Sequence, residues 1–283
     1  MPTRRVFPLL FAAAATLCSQ PTPAPVRLPA GATVQENIPY DAHPQTVMDI
    51  YRPAAPGPRP AVIVIHGGGW VAGFKAGMVA NWVVRYLEKG FVVANVEYRL
   101  GPVAPAPAAV EDALKAANFF LDNARKYGAD PNRVAVTGGS AGGHLALMVG
   151  LTPKSAKLGK PVKVRAVVNF CGITDVDDQL HGPNERKYAT DWVPAGPGRL
   201  ALARRVSPIT YVRKDAPPVL TIHGDADDTV PYQHGVSLTK ALTEAGAKAE
   251  LIPIPKGGHS FPRETQDTIY PRIFAFLKNH GVL

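Results

Sequence analysis

Three parts of this 283-residue chain have the residue types and spacing to do chemistry together: the run Gly138-Gly139-Ser140-Ala141-Gly142-Gly143, Asp227 and His259. A serine hydroxyl is a weak nucleophile until an imidazole takes its proton. The imidazole in turn needs a carboxylate to fix its tautomer and stabilise its charged form. Gly-x-Ser-x-Gly set between a strand and a helix makes a turn so tight that the flanking positions tolerate almost no side chain, which pushes the serine Oγ into the open. With 26 glycines and six serines, chance supplies such a match in about one chain in twenty. The motif therefore draws its weight from its surroundings.

Those surroundings agree with it. Residues 133–137 are a β-branched run before the turn, and residues 144–148 open an apolar helix after it. Ser140, Asp227 and His259 follow one another in the order Ser, Asp, His, each after a strand-like run, as in nucleophile-elbow enzymes. Phosphate-loop readings fail on residue type, since no Lys-Ser or Lys-Thr follows the glycines and the spacing is not Gly-x-Gly-x-x-Gly.

The acid has rivals. Asp225, Asp227 and Asp228 crowd one loop, and Asp175 follows the strand after the elbow; Asp227 is the favoured member, and the ligand spacing does not support a calcium site. His259 alone of eight histidines sits in a Gly-Gly-His turn after the last strand, whereas His144, His223 and His234 read as structural and His66 as a brace. The loop His66-Gly67-Gly68-Gly69-Trp70 follows an aliphatic strand and offers backbone N–H groups to an oxyanion. One or two of them, with Gly68 and Gly69 favoured, would join the Ala141 N–H. Trp70 then either walls the substrate pocket or packs in the core. Cys171 reads as a buried packing residue.

Elements that position these residues are legible as runs. Segments 33–38 and 47–51 alternate across a turn and predict an antiparallel edge hairpin. The unbroken aliphatic run at 61–65 predicts a central strand covered on both faces, 218–222 another buried strand, and 91–96, 133–137, 164–170 and 249–254 further strands. Helical patterns at 79–89, 108–127, 236–245 and 268–279 lie between or after them. The alternation predicts an α/β protein with a mostly parallel twisted sheet and helices on both faces. Residues 173–212 break the rhythm and are expected to form a small cap over the carboxyl ends of the strands, with a structureless loop as the alternative.

Composition bounds the rest. A hydrophobic fraction of 46% with 19% charged residues excludes a disordered chain. The net charge of +9 looks dispersed along the sequence, with no basic stripe interleaved with aromatics, so no nucleic-acid partner is expected; anionic surfaces or polymers suit it better. Residues 1–20 open with Arg4-Arg5 and an uncharged apolar stretch too short to span a bilayer, which predicts an export signal, by the twin-arginine route or an ordinary secretory one. Residues 21–30 would be a linker and 31–283 one catalytic domain, periplasmic or secreted, with no stable membrane insertion after signal removal and no oligomeric state specified.

Five stretches carry a family resemblance: His66-Gly-Gly-Gly-Trp70, Glu97-Tyr-Arg-Leu100, Ala108-Ala-Val-Glu-Asp112, Gly138-Gly-Ser-Ala-Gly-Gly-His-Leu-Ala146 and Gly257-Gly-His259. In these the chain, from about residue 33 to its end, resembles the bacterial carboxylesterases related to hormone-sensitive lipase, with the α/β-hydrolase fold. The resemblance implies a triad of Ser140, Asp227 and His259, with Asp227 matching the acid of a His-Gly-x-x-Asp-x-x-Val-Pro stretch, and an oxyanion hole of Gly68, Gly69 and Ala141. Gly139 stands where an Asp commonly precedes the nucleophile, and no long helical N-terminal cap is present. Both features resemble the capless acetyl- and feruloyl-esterase branch that acts on plant polysaccharides. The implied activity is hydrolysis of short-chain carboxylic esters, acetyl or feruloyl esters of carbohydrates among them, with no cofactor or metal. The alternatives are an amide hydrolase, peptidase or arylformamidase, on the same triad and, from another class, a non-catalytic binding module.

Overall fold

A computed structural model describes residues 26–283; the expected export signal, and the expected linker up to residue 25, lie outside the described residues. One eight-stranded sheet organises the chain in the order β1-β2-β4-β3-β5-β6-β7-β8. Strands β1 (Thr33–Pro39) and β2 (Val47–Arg52) form the antiparallel edge. β3 (Arg59–Ile65), β4 (Val92–Val96), β5 (Ala129–Gly139), β6 (Ala166–Phe170), β7 (Val219–Gly224) and β8 (Ala249–Ile254) are mutually parallel.

Period-two alternation divides the core. From β3, Ala61, Ile63 and Ile65 join the apolar cluster on one face, and Val62 and Val64 join that on the other. Among the described residues seven α-helices follow in chain order: α1 (Val84–Glu88), α2 (Ala108–Asn123), α3 (Ala141–Leu151), α4 (Lys187–Trp192), α5 (Arg199–Arg205), α6 (Gln233–Glu244) and α7 (Arg263–Asn279). α2, α3 and α6 contribute Leu114, Leu145 and Leu238 to the first cluster. α1 and α7 contribute Tyr86 and Phe274 to the second. The helices therefore cover both faces, and the fold is the α/β-hydrolase one.

Two departures from the sequence reading bear on the site. The helix expected over 79–89 opens as a wide π turn, Val79–Val83, before α1. Such turns are rare and concentrate at functional sites. The last helix starts at Arg263 rather than residue 268, which puts Pro271 in its third turn instead of its first. Residues 173–212 are not structureless: they hold α4, α5 and short 3-10 turns. No described helix is long and apolar enough to cross a membrane.

Candidate active site

Ser140 stands between the end of β5 and the start of α3 with φ 57° and ψ −124°. A residue with a Cβ is strained there, and the surroundings over-determine it. Its N–H donates to the Phe170 carbonyl at 2.9 Å, and its own carbonyl accepts the His144 N–H at 2.9 Å. Gly142 is obligatory, because a Cβ there would run into the Ile65 carbonyl at the end of β3. All eleven residues of α3 are buried, which fixes its N-terminus against the sheet. Ala141 begins that helix, so its N–H has no intrahelical acceptor.

The carboxylate that reaches His259 is Asp227. Its Oδ2 lies 2.8 Å from His259 Nδ1, and its Oδ1 accepts the N–H groups of Thr229 and Val230, both at 2.9 Å. The rival acids are engaged elsewhere: Asp225 accepts the Lys256 N–H, Asp228 the Thr229 hydroxyl and Asp175 the Asp177 N–H. The Asp227 side chain is fully buried, whereas that of His259 is 23% exposed. Burial alone would raise the Asp227 carboxyl, but hydrogen bonds from His223, His259 and the Val230 N–H outweigh it and hold the group well below the usual carboxylate range. Burial lowers the His259 imidazolium; hydrogen bonding to Asp227 and to neighbouring Cys171 overcomes that, and the net direction is upward. With Nδ1–H directed at Asp227, the neutral ring keeps Nε2 as its acceptor.

His223, read from sequence as structural, touches this carboxylate. Its Nε2 lies 3.0 Å from the Val230 carbonyl and 3.3 Å from Asp227 Oδ2. It therefore steadies the acid from behind. The signal was available in the stretch from His223 to Pro231, where a histidine closes β7 four residues before the acid.

The glycine loop after β3 is braced from below. His66 Nδ1 approaches the Gly67 carbonyl at 2.7 Å, its Nε2 meets Glu97 Oε1 at 2.9 Å, and its ring stacks on Tyr98 with centroids 4.2 Å apart. The Tyr98 hydroxyl donates to the His66 carbonyl, and Arg99 makes a two-pronged pair with buried Asp112 at 2.8 and 2.6 Å. Gly68 has φ 113°, and a Cβ on it would strike the Ala72 carbonyl, so only glycine fits. Gly68 and Gly69 line the same cavity as Ser140 and His259.

That cavity has a volume of about 560 Å³ and an aromatic wall drawn from four segments: Trp82 from the π turn, Phe170 at the end of β6, Phe261, and Tyr270 on α7. Trp82 packs edge-on to Phe170 at 4.6 Å. Tyr188 on α4 closes another side, and its hydroxyl donates to Gln179 at 2.8 Å. Trp70 is not part of the wall, which corrects the pocket reading in favour of the core one. It is fully buried, stacks on Trp192 at 4.1 Å and donates its indole N–H to His144 Nδ1 at 3.0 Å. Burial lowers the His144 pKa to about 4, partly offset by its bond to the Val206 carbonyl, so the ring is neutral and can accept that indole proton.

Cys171, with φ 40°, lies beside the pair: its Sγ, an Asp227 oxygen and a His259 nitrogen fall within 4.8 Å of one another. Among the described residues this is the one close grouping of three metal-capable side chains, and two of its members are already committed to each other.

Comparison with known proteins follows the same lines. The BD-FAE family model matches residues 48–242. Esterase LipQ of Mycobacterium tuberculosis is 30% identical over 255 residues, 84% of this chain and 59% of that protein. The chain spans between 50% and 59% of the length of this and the two further mycobacterial relatives. Among solved structures, a truncated carbohydrate esterase from gut microbiota is 28% identical with a TM-score of 0.73, covering 89% of this chain and 97% of that one. Esterase 2 of the planctomycete Thermogutta terrifontis, butyrate-bound, is 26% identical with a TM-score of 0.74, covering 90% and 96%.

Proposed function

We propose that this chain, which belongs to the BD-FAE family of α/β-hydrolases, is a serine esterase that cleaves short-chain carboxylic esters, acetyl or feruloyl esters of carbohydrates among them. Ser140 Oγ attacks the ester carbonyl as His259 Nε2 takes its proton, and Asp227 stabilises the imidazolium. The N–H groups of Gly68, Gly69 and Ala141 receive the oxyanion. The imidazolium then protonates the departing alcohol, leaving an acyl-enzyme on Ser140. Water, deprotonated by the same ring, releases the acid and restores the serine. The reading rests above all on the 2.8 Å contact of His259 Nδ1 with Asp227 Oδ2, in a ring that opens with strained Ser140 onto one cavity.

A cavity of about 560 Å³ must hold acyl group and alcohol together, and between Trp82, Phe170 and Phe261 a short acyl group leaves the more room for the alcohol. The butyrate-bound state of the planctomycete enzyme supports that preference, and the gut carbohydrate esterase supports a sugar on the alcohol side. Residues 31–283 would act as one catalytic unit, with 173–212 as a small cap that contributes Tyr188. Export of the chain suits a polymeric substrate too large to enter a cell.

The test is acetate release from acetylated xylan, set against hydrolysis of p-nitrophenyl acetate, p-nitrophenyl octanoate and methyl ferulate, with Ser140→Ala as blank. Turnover of the polymer comparable to the small acetate supports the carbohydrate reading. Reaction with the aryl esters alone restricts the enzyme to general short-chain esters, and preference for the octanoate contradicts the cavity argument.

A further inference from the structure

At the end of the sheet remote from Ser140 lies a second, larger hollow of about 730 Å³, lined by Lys163, Arg165, Lys214, Lys248, Lys278 and His280. Its origin is topological. In a parallel sheet every strand begins at the same end, so Lys163 and Arg165 before β6, Lys214 before β7 and Lys248 before β8 converge although they are far apart in sequence. The charge that looks dispersed along the chain is gathered in space. A second hollow at this end, about 390 Å³, is lined by Arg52, Arg59, Arg125 and Lys126.

No Asp or Glu lines either hollow. Among the described residues, none of the five cations of the larger one is in an ion pair, and its four lysines donate no hydrogen bond to the protein. All five are exposed. Of the acids nearest in sequence, Asp215 pairs with Arg213 and Asp130 accepts the Asn132 N–H, while exposed Glu250 on β8 lies close enough to act on His280 without lining the hollow. Burial and the positive charges of Lys248 and Arg165 hold His280 below its ordinary range against the opposing pull of Glu250.

Helix ends account for only part of the cluster: Lys278 lies in the last turn of α7. The C-termini of α2, α6 and α7 reach this end, and cations near them gain about 0.3–1 kcal/mol each. Yet the last carbonyls of α3 are capped by Arg213, which does not line the hollow. Lys163 and Lys214 lie in the segments leading into β6 and β7 and end no helix. Five like charges around one concavity repel one another, and a bound polyanion would offset that repulsion.

We propose that this end of the sheet docks an acidic polysaccharide, a chain bearing uronate carboxylates, and tethers the enzyme to the polymer whose esters the opposite end hydrolyses. The inference rests on the carbohydrate reading above. No Phe, Tyr or Trp lines the hollow to stack nucleobases. A recessed cavity meets a flat headgroup plane poorly, and no apolar wedge lines it for insertion between lipids. β6 is five residues long, so roughly 17 Å of strand separates the two ends, and a docked chain leaves the catalytic cavity open.

The test is affinity electrophoresis and calorimetry of the full chain with polygalacturonate, with neutral dextran, duplex DNA and phosphatidylglycerol vesicles as parallel arms. The expected result is binding to polygalacturonate that weakens as salt rises, none to dextran, and at least about a tenfold loss in the Lys163→Gln, Lys214→Gln, Lys248→Gln, Lys278→Gln variant. Turnover of p-nitrophenyl acetate should stay within about twofold of the parent, because none of these residues touches the catalytic cavity. No binding overturns the proposal, as do equal binding by the variant or tighter binding to DNA or vesicles. A lower Tm in the variant with unchanged affinity assigns the lysines to stability and also overturns it. Deacetylation of acetylated xylan separates this from the enzymatic reading: binding to polygalacturonate without that deacetylation sinks the latter alone, and deacetylation without binding to polygalacturonate sinks the docking face alone.

Discussion

The two ends of the parallel sheet are built from the same strands but treat charge in opposite ways. At the carboxyl ends, charged groups are engaged: Asp227 takes two backbone N–H groups and two imidazoles, Glu97 takes His66 and the Lys75 N–H, and Lys75 pairs with Asp49. Arg186 donates to the carbonyls of Asp228 and Thr229 and ties the inserted segment to the acid loop. At the amino ends, the four lysines of the larger hollow make no ion pair and donate no side-chain hydrogen bond among the described residues. Satisfied buried networks hold a few atoms at fixed distances, which is what bond-making chemistry needs. Unpaired exposed charge holds nothing in place, and suits a ligand that brings its own counter-charge.

The contrast can be broken from either end. The largest effect is expected from Ser140→Ala, which should lower kcat for p-nitrophenyl acetate by about 10⁴-fold or more while leaving the fold intact by circular dichroism. Asp227→Asn comes next, with a loss of about 10³–10⁴-fold, because the imidazole loses both its tautomer control and its counter-charge.

The pH profile sharpens the same point. The proposed mechanism needs neutral His259, whose pKa is raised by Asp227 and Cys171 against the effect of burial. The acid limb of kcat/KM should therefore lie above the ordinary histidine value of about 6.5, with activity lost as pH falls through it. In Asp227→Asn the residual activity should show that limb moved to lower pH. A limb that stays put would mean Asp227 is not what tunes the ring.

Smaller effects separate wall from core. Trp70→Ala empties a fully buried site between His144 and Trp192 and should cost about 3–5 kcal/mol of stability, read by chemical denaturation. Trp82→Ala should leave stability nearly unchanged and widen the cavity, raising KM for the acetate by about tenfold and improving longer acyl esters relative to it. The four-lysine variant should be the least perturbed of all on small esters.

Much of this was legible in the residues. The aliphatic runs mark the inner parallel strands because these are buried on both faces, whereas edge strand β8 leaves Glu250 and Pro253 exposed. Gly138, Gly142 and the order Ser, Asp, His mark the elbow and its partners, because the tight turn and the proton relay each tolerate few residue types. What escaped was tertiary. Trp70 follows the glycine loop directly, yet its φ of 63° turns it inward onto His144. Trp82, Phe261 and Tyr270 meet at one wall from separate segments with no local signal to join them. Phe170 could have been found, since it ends the strand next to the elbow. The convergence of Lys163, Lys214 and Lys248 could also have been read from the rule that parallel strands share a starting end, once each lysine was seen to precede a strand.

The central claim is that Ser140 carries the acyl group. A fluorophosphonate probe followed by intact mass and peptide mapping tests it directly. The expected result is one adduct per chain, on Ser140, formed at a rate that falls with acid pH and absent from Ser140→Ala. An adduct mapped to another residue, or esterase turnover surviving unchanged in Ser140→Ala, would contradict the account.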